Sequence, residues 1–307
     1  MSDGAAVFVF GAGGRIGKEL VSSLSRAGIP VVGCTRKEAD ITDEGAVARL
    51  LAQTRPYVIV NAAGYSDVDN AELERERAQA DNARGPAVLS TQSGYEGIPL
   101  VHLSSAYVFS GKKGEPYRED DPVMPISVYG LTKAAGEDAV RSGNPRHIVL
   151  RTSGVYGPSI PSFSWTVLRQ ADAGHSVSAA TDLRGSPTSI GLLSAAIASL
   201  AAAIRHGSIK WGTYHLAGSG SASRYELART TLRSRENIVG VSAKLLPAAA
   251  ADFSPRARRP PNSTLDSGLF AKTFSFETRP WDEAIYTLVE HYYRSGFEMR
   301  LPRSRRR

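Results

Sequence analysis

Tyr129 and Lys133 lie four residues apart, a spacing that places two side chains on one face of a helix. An ammonium beside a phenol favours the phenolate and lowers the pKa of the phenol toward neutrality, where a general acid or base works best. The pair therefore predicts a tyrosine that exchanges a proton with a bound molecule. Because the spacing is also common by chance, the prediction depends on the residues that accompany it.

Ser105 follows the apolar run of residues 99–103, just beyond the expected end of a strand. Its hydroxyl can donate a hydrogen bond to a carbonyl oxygen there. With Tyr129 as the proton donor and Lys133 holding a ribose and tuning the tyrosine, the three residues predict a hydride-transfer site. The neighbouring Ser104 is interpreted as a loop residue.

A glycine-rich turn separates the first apolar run, residues 5–10, from a predicted helix. Gly11 permits the tight turn, Gly14 lets a pyrophosphate approach the backbone, and Gly17 lets the helix and the strand pack closely. Between a strand and a helix, this turn predicts dinucleotide binding. The other residues assigned to the cofactor by this turn and by a later small-residue turn are Gly13, Arg15, Ile16, Ala62, Ala63 and Gly64.

The choice of dinucleotide depends on the residues after the second strand. A residue that binds the ribose 2′-hydroxyl would be an aspartate or glutamate, but residues 34–37 supply only basic charges. Arg36 suits the 2′-phosphate of NADPH, so NADPH is the predicted cofactor and NADH the alternative. Arg36 could also be an ordinary surface arginine. Asp40 and Ile41 are expected to close over the adenine, although Asp40 could instead cap the following helix.

The elements that must position these residues alternate between strand and helix. Apolar runs at residues 5–10, 29–33, 57–61, 100–103 and 147–151 are typical of buried strands. The stretches between them predict helices, at residues 15–26, 44–53, 71–93 and around Tyr129. This alternation indicates an α/β fold, a doubly wound parallel Rossmann sheet.

The alternation weakens after residue 151. We expect residues 1–157 to form an NADP-binding Rossmann domain, with residues 177–217 returning to the sheet. Residues 158–176 and 218–300 would form a smaller C-terminal substrate-binding lobe, followed by a basic tail at 301–307. Ligands of open α/β sheets bind in the crevice at the carboxyl ends of the strands, which such a lobe would cover.

Composition narrows the set of partners. The net charge of +7 comes largely from residues 256–259 and 300–307, which lack interleaved aromatic residues, so we expect no nucleic-acid partner. No apolar run reaches membrane-spanning length, and Cys34 is the only cysteine, so we expect a cytoplasmic protein with no membrane partner. Cys34 itself is interpreted as a small buried residue at the end of a strand.

Other polar residues are assigned structural roles. No Cys/His cluster has metal-ligand spacing, so no metal site is predicted. His102 and His215 lie in apolar runs and are interpreted as packed rather than functional, and the acidic residues 119–121 as a solvated loop.

The glycine turn together with Tyr129-x-x-x-Lys133 resembles the extended short-chain dehydrogenase/reductases. Within them the chain is similar to the dTDP-4-dehydrorhamnose reductase family, in segments that cover nearly the whole chain in order: residues 61–72, 102–111, 127–137, 150–157, 182–188, 212–217 and 259–263. The resemblance implies Ser105, Tyr129 and Lys133 as the catalytic trio. It also implies NADPH-dependent reduction of the C4 ketone of a nucleotide-linked 6-deoxysugar, with Arg259 near the nucleotide. A homodimer is compatible with it.

Two residues of the implied sugar pocket depart from the family. Ala106 stands where an aspartate is usual, and Gly154 stands where a tryptophan is usual. The resemblance therefore supports the reaction type more firmly than the sugar. Some relatives bind magnesium between subunits, and Glu19 matches one such position, but Gly191 falls where another glutamate would stand, so no metal is carried over.

Two other functions remain open from the sequence. A nucleotide-sugar epimerase that keeps its cofactor bound is compatible with residues 104–106, and a non-catalytic regulatory subunit could use the same fold. The intact trio disfavours the regulatory subunit. A sugar dehydratase would need an acid pair just after Ser105, where Ala106 and Tyr107 supply none.

Overall fold

The computed structural model describes residues 6–207 and 209–295. The strands in chain order are β1 (Val7–Phe10), β2 (Val31–Cys34), β3 (Val58–Asn61), β4 (Leu100–Ser105), β5 (His147–Thr152), β6 (Val155–Tyr156), β7 (Val177–Ala180), β8 (Arg184–Gly185), β9 (Thr188–Ser189), β10 (Gly212–His215), β11 (Ala222–Ser223), β12 (Leu245–Ala248) and β13 (Asn262–Ser263). The helices are α1 (Arg15–Arg26), α2 (Glu44–Thr54), α3 (Arg75–Gln79), α4 (Gly85–Tyr95), α5 (Val128–Gly143), α6 (Phe163–Asp172), α7 (Ile190–Arg205), α8 (Arg224–Val239), α9 (Gly268–Phe274) and α10 (Glu283–Arg294).

A six-stranded sheet in the order β10-β5-β4-β3-β1-β2 forms the centre of the molecule, and every neighbouring pair in it is parallel. The strand order reverses between β1 and β3, so their carboxyl ends diverge and leave a crevice between them. The predicted doubly wound sheet is confirmed. Of residues 177–217, which were predicted to return to it, β10 does so, whereas β7, β8 and β9 pair in smaller sheets.

Both faces of this sheet are covered, which explains why its strands are apolar throughout. Val7 and Val9 of β1 pack with α1 and α7 on one face, whereas Phe8 and Phe10 pack with α2 and α4 on the other. Cys34 is buried at the end of β2, as predicted.

The helix predicted over residues 71–93 is broken into four pieces: a 3-10 turn (Asn70–Glu72), α3, a π turn (Ala80–Arg84) and α4. Pro86 explains the π turn, because it has no N–H to bond the Asn82 carbonyl. Gly136 of α5 packs against that carbonyl so closely that a Cβ there would lie 2.1 Å from its oxygen.

The second half of the chain forms smaller sheets, in the orders β11-β8-β13, β12-β7 and β6-β9. Helices α6, α8 and α10 enclose an apolar cluster of their own, to which Trp165, Leu227 and Ile285 contribute. The exact domain boundaries stay a prediction, and the predicted tail at 301–307 lies outside the described residues.

Three local expectations are wrong. Strand β4 extends to Ser105, so Ser104 is a strand residue and Ser105 ends the strand instead of following it. The cap of α2 is Asp43, whose carboxylate accepts a hydrogen bond from Ala46 N, and not Asp40. Glu119 is half-buried and accepts a hydrogen bond from His215 N at 2.8 Å, so it does not belong to a solvated loop.

Within the described ranges, no helix is both long and apolar enough to cross a bilayer.

Candidate active site

Helix α5 carries Tyr129 and Lys133 into one cavity of about 380 Å³. Ser127 caps the helix by accepting a hydrogen bond from Gly130 N at 3.2 Å. Gly130 lets the helix approach the active-site turn, because a Cβ there would lie 2.2 Å from the Tyr107 carbonyl oxygen. The i, i+4 spacing thus places both side chains on the cavity side of α5, as predicted.

Ser105 enters the same cavity from the carboxyl end of β4. Its hydroxyl accepts a hydrogen bond from Tyr107 N at 3.2 Å and is hydrogen-bonded to the Tyr129 side chain. The rings of Tyr107 and Tyr129 meet edge to face, with centroids 5.8 Å apart. The Tyr129 hydroxyl is therefore held beside Ser105 by a hydrogen bond and by a ring contact.

Burial raises the pKa of Tyr129, and the hydrogen bond with Ser105 offsets only part of this effect. The expected lowering of the Tyr129 pKa toward neutrality is therefore wrong for this structure, because burial outweighs the opposing influences. The Lys133 ammonium donates to the Leu103 carbonyl at 2.7 Å. Burial also lowers the pKa of Lys133, to about 8, although the charge of Glu137 opposes that change.

A buried charge network supports the trio from behind. Glu137, one turn after Lys133 on α5, accepts hydrogen bonds from Arg151 Nε at 2.9 Å and Arg151 Nη2 at 2.7 Å. Ser104 donates to the same carboxylate at 2.5 Å. The network joins α5 to β4 and β5 next to Ser105 and Lys133, and it gives Ser104 a structural role.

The glycine turn fits a dinucleotide. Gly11 has φ +81°, and a Cβ there would lie 2.5 Å from Ala63 N, so β1 and the turn after β3 meet closely. A Cβ on Gly17 would lie 2.2 Å from the Gly11 oxygen. Gly14 caps α1 without any side-chain hydrogen bond, and it lines the cavity with Arg15 and Ile16. Backbone N–H groups at a helix start are suited to a pyrophosphate.

The remaining predicted cofactor residues divide into two groups. Ala62, Ala63 and Gly64 line the cavity, whereas Gly11, Gly13 and Gly17 shape the turn behind it. Both groups lie at the crevice between β1 and β3.

The residues after β2 lie outside the cavity lining. Arg36 is half-exposed and donates to the Asp81 carboxylate at 2.7 Å. Asp40 accepts hydrogen bonds from Thr42 N and Thr42 Oγ1, at 2.9 and 2.8 Å. Ile41 is buried in the apolar core, against Gly85. Arg36 and Asp40 are thus near each other at the crevice edge, and Ile41 packs beneath them.

The opposite wall of the cavity is basic. Arg184, Arg224 and Arg259 line it, and no aspartate or glutamate lines the cavity among the described residues. Arg259 is held by Asp69, whose carboxylate it contacts at 3.1 and 2.6 Å. Asp69 also accepts a hydrogen bond from Ala257 N at 2.9 Å, which ties the segment before Arg259 to the turn after β3.

The two departures in the sugar pocket have different surroundings. Gly154 lines the cavity with φ +52°, a conformation that favours glycine, and a Cβ there would only touch Pro187 at 3.6 Å. Ala106 is fully buried with Phe109 and Tyr117 and does not line the cavity. The cavity is therefore open at Gly154, while Ala106 contributes to the packing beneath it.

Sequence reasoning missed several residues that shape this site. Asn82 lines the cavity and fixes Tyr65 through both its backbone N–H, at 2.9 Å, and its carbonyl, at 3.0 Å. Thr152, opposite Ser105 across β4 and β5, lines the cavity with a buried hydroxyl that has no partner in the part of the chain described. The proline four residues after Asn82 was the available signal for the π turn, whereas Thr152 gave none.

No three potential metal ligands of the His, Cys, Asp or Glu type cluster among residues 6–207 and 209–295. Glu19 pairs instead with Arg26 at 3.1 Å and with the Ser159 hydroxyl.

A doubly wound sheet with a glycine turn at its switch point, and a serine, tyrosine and lysine in the adjoining cavity, defines an NAD(P)-dependent oxidoreductase of the extended short-chain dehydrogenase/reductase class. The chain belongs to the family described as RmlD substrate binding domain, whose model matches residues 5–294.

Relatives of known name agree with this class. A dTDP-4-dehydrorhamnose reductase from Sinorhizobium fredii is 36% identical over 92% of this chain and 95% of its own. A Streptomyces antibioticus protein named "Probable dTDP-4,6-dihydroxy-2-methyloxan-3-one 4-ketoreductase" is 35% identical over 90% of this chain and 92% of its own. The structure of a dTDP-4-dehydrorhamnose reductase from Bacillus anthracis, in complex with NADP, superposes with a TM-score of 0.84 at 31% identity, covering 92% of this chain and 98% of that one.

Proposed function

We propose that this protein is an NADPH-dependent reductase of the C4 ketone of a dTDP-linked 4-keto-6-deoxysugar. One observation carries the proposal: a single cavity joins Ser105, Tyr129 and Lys133 to the glycine turn on one side and to Arg184, Arg224 and Arg259 on the other. Such a cavity suits a dinucleotide, a reacting carbonyl and a diphosphate in that order. The names of the relatives from Sinorhizobium fredii and Streptomyces antibioticus support the same reaction on dTDP-linked sugars.

NADPH is the proposed cofactor, with NADH as the alternative. The related enzyme from Bacillus anthracis was crystallised with NADP, which supports this choice. In this chain, Arg36 and Lys37 follow β2 without a carboxylate in residues 34–37 that would repel a 2′-phosphate. When bound, NADPH supplies the hydride.

The residues of the chain would act on the ketone as follows. The raised pKa of Tyr129 keeps the phenol protonated at neutral pH, so that it can donate its proton to the carbonyl oxygen. Ser105, hydrogen-bonded to Tyr129, would hold the same oxygen. The charge of Lys133 would favour the phenolate that remains after the transfer.

The basic wall would receive the nucleotide diphosphate. Arg259 is oriented by Asp69, and Arg184 contacts Glu226 at 3.2 Å, whereas Arg224 has no carboxylate partner among the described residues. Arginine binds phosphate oxygens through two parallel N–H groups, which suits this role.

The epimerase and the non-catalytic subunit are not favoured, because relatives at 35–36% identity are named as reductases.

The test is an assay of NADPH oxidation with a panel of nucleotide-linked 4-keto sugars, with the product identified by NMR. We expect net oxidation of NADPH and a new C4 hydroxyl. Epimerisation without net oxidation, together with a cofactor that survives purification, would instead indicate the epimerase.

The same panel of sugars tests the specificity of the sugar pocket. Because Gly154 leaves that side of the cavity open, we expect a bulkier or differently substituted sugar to have a higher kcat/KM than dTDP-4-dehydrorhamnose. A clear preference for dTDP-4-dehydrorhamnose would mean that the open position does not set specificity.

A cytoplasmic location and assembly into a homodimer stay predictions. Light scattering of the purified protein measures the second directly.

A further inference from the structure

His102 lies behind Lys133, and its two ring nitrogens face different neighbours. Nδ1 is 3.0 Å from Asn61 Nδ2, and Nε2 is 3.5 Å from Lys133 Nζ. The ring is fully buried within β4. Neither the sequence nor the proposed reaction gives it a task beyond packing.

The orientation of the Asn61 amide decides which nitrogen of His102 carries the proton. Asn61 Oδ1 accepts a hydrogen bond from Ala63 N at 3.0 Å, so the amide nitrogen must be the atom that faces His102. That nitrogen is a donor, and His102 Nδ1 must therefore accept. Burial, together with the charges of Lys133 and Arg141, holds the pKa of His102 well below its ordinary value, so the ring is neutral. A neutral ring that accepts at Nδ1 carries its proton on Nε2.

The imidazole thus presents an N–H, and not a lone pair, to the Lys133 ammonium. Lys133 has an acceptor on another side, the Leu103 carbonyl at 2.7 Å. Two N–H groups cannot hydrogen-bond to each other, so the ammonium gains nothing from His102 and turns its remaining protons elsewhere. Lys133 lines the cavity together with Tyr129 and Ser105, whereas His102 does not.

We propose that His102 is a positioning residue that directs Lys133 toward Tyr129 and the cofactor crevice by presenting Nε2–H to the back of the ammonium. The proposal rests on the reductase function above. His102 touches neither the substrate nor the cofactor crevice and acts only through Lys133. Asn61 has a part in this positioning, since it fixes the tautomer from the end of β3, just before the turn that supplies Ala63 to the cavity wall.

The charged groups around this pair come from two elements. Helix α5 supplies Lys133, Glu137 and Arg141, and β5 supplies Arg151, whose charge is matched by Glu137. Directly opposite His102, β5 places the apolar Val149 and β3 places the neutral Asn61. Glu137 raises the pKa of Lys133 but is outweighed by burial, which brings it to about 8. An N–H neighbour instead of an acceptor acts in the same direction as burial.

The experiment measures the titration of Lys133 directly, by NMR of the protein labelled with ¹³C at the lysine Cε. The signal of Lys133 is assigned by its loss in Lys133→Arg. In the parent protein we expect a midpoint of about 8. His102→Gln can turn an amide oxygen toward the ammonium, and we expect the midpoint to rise by about one pH unit or more. The alkaline limb of kcat should move upward with it.

His215→Gln is the matched control. His215 is equally buried in a strand, but its ring contacts Arg151 and the Tyr117 carbonyl instead of Lys133. We expect a comparable loss of stability with no change in the Lys133 titration. If His102→Gln does not fold, His102→Asn removes only the ring edge that faces the ammonium and should raise the midpoint by a smaller amount, because no acceptor replaces the N–H.

An unchanged Lys133 midpoint in the folded His102 variants would overturn the proposal, and so would an equal shift in His215→Gln. The titration needs no substrate. A protein that reduces no 4-keto sugar but shows the predicted shifts would therefore contradict the proposed function and leave the role of His102 standing.

Discussion

Individual side chains decide the chemistry, and Tyr129 is the one whose surroundings differ most from the sequence-based expectation. Its hydroxyl is held by Ser105, and burial keeps it protonated. Lys133 sits behind it with an ammonium already bonded to a backbone carbonyl. The spacing of the two residues was sufficient to predict that they share a site. It could not predict their pKa values, because those depend on burial by segments far away in sequence.

Tyr129→Phe should leave folding and NADPH binding intact but lower kcat by about two to four orders of magnitude, because the proton donor is lost. Turnover, cofactor binding and thermal unfolding are measured together. Tyr107→Phe is the matched control, since Tyr107 lines the same cavity and packs against Tyr129. Turnover of Tyr129→Phe within a few-fold of the parent would exclude Tyr129 as the acid.

Arg36→Ala should weaken NADPH binding by about 1–3 kcal/mol and leave NADH binding nearly unchanged, because only NADPH carries a 2′-phosphate. The bond from Arg36 to Asp81 would hold the guanidinium near the crevice edge. Isothermal titration with both cofactors checks this. Equal losses of binding affinity for NADPH and NADH would show that Arg36 is an ordinary surface residue that does not contact the 2′-phosphate.

At the scale of elements, the strands and most helices follow from apolar periodicity and glycine positions. Helix α1 was predicted with the bounds it has, since Gly14 and the apolar face of residues 16–24 mark it clearly. The break within residues 71–93 was not predicted, because a proline near a helix start and a proline at a π turn look alike in sequence. The Asp69–Arg259 contact was equally hidden, since 190 residues separate its members.

The contact between α5 and β5 depends on the buried pair of Glu137 and Arg151. Glu137→Gln should lower the free energy of unfolding by about 3–5 kcal/mol, because it leaves the Arg151 charge buried without a partner. Chemical denaturation at neutral pH measures the loss. Asp138→Asn on the same helix is the control, since Asp138 is exposed and pairs only with Arg141, and it should have little effect.

The same pair sets a pH dependence. Burial would raise the pKa of Glu137, but the hydrogen bonds and charge of Arg151, with Ser104 and Arg141, lower it below its ordinary value of 4.5. A depressed carboxyl pKa contributes stability above the unfolded-state value, and this contribution is lost as the pH falls through the folded-state value. Stability should therefore drop below about pH 4.5 in the parent and drop less in Glu137→Gln. Equal acid sensitivity in both proteins would assign the drop to other carboxyls.

Across the whole molecule, the cavity is closed by segments that are distant along the chain. Asp69 lies after β3, and Arg259 belongs to the segment before β13 that completes the basic wall. The class of fold could be predicted from local patterns. The closure of the cavity could not be predicted, because it depends on the contact between Asp69 and Arg259, which no local pattern encodes.

Asp69→Asn should raise the KM for the nucleotide sugar by about tenfold and leave kcat nearly unchanged, since it loosens Arg259 without touching the trio. Steady-state kinetics and binding of free dTDP measure the effect. Asp67→Asn is the control, because it removes a nearby charge, two residues away, that has no hydrogen bond to Arg259: the Asp67 carboxylate accepts from Asn70 instead. A fall in kcat with no change in KM would show that Asp69 acts on the chemistry instead.

The position of β10 at the edge of the sheet has a consequence for how the chain folds while it is being synthesised. β5 pairs on one side with β4, which precedes it, and on the other with β10, which follows 60 residues later. A nascent chain that ends at residue 157 already contains Ser105, Tyr129 and Lys133 and five of the six strands of the central sheet, yet β5 has an open edge along Val149 and Leu150. Open apolar edges recruit other strands, so this half of the chain is prone to aggregation until β10 emerges from the ribosome. Synthesis must therefore proceed beyond β10 before the open edge of β5 is paired and protected from other chains.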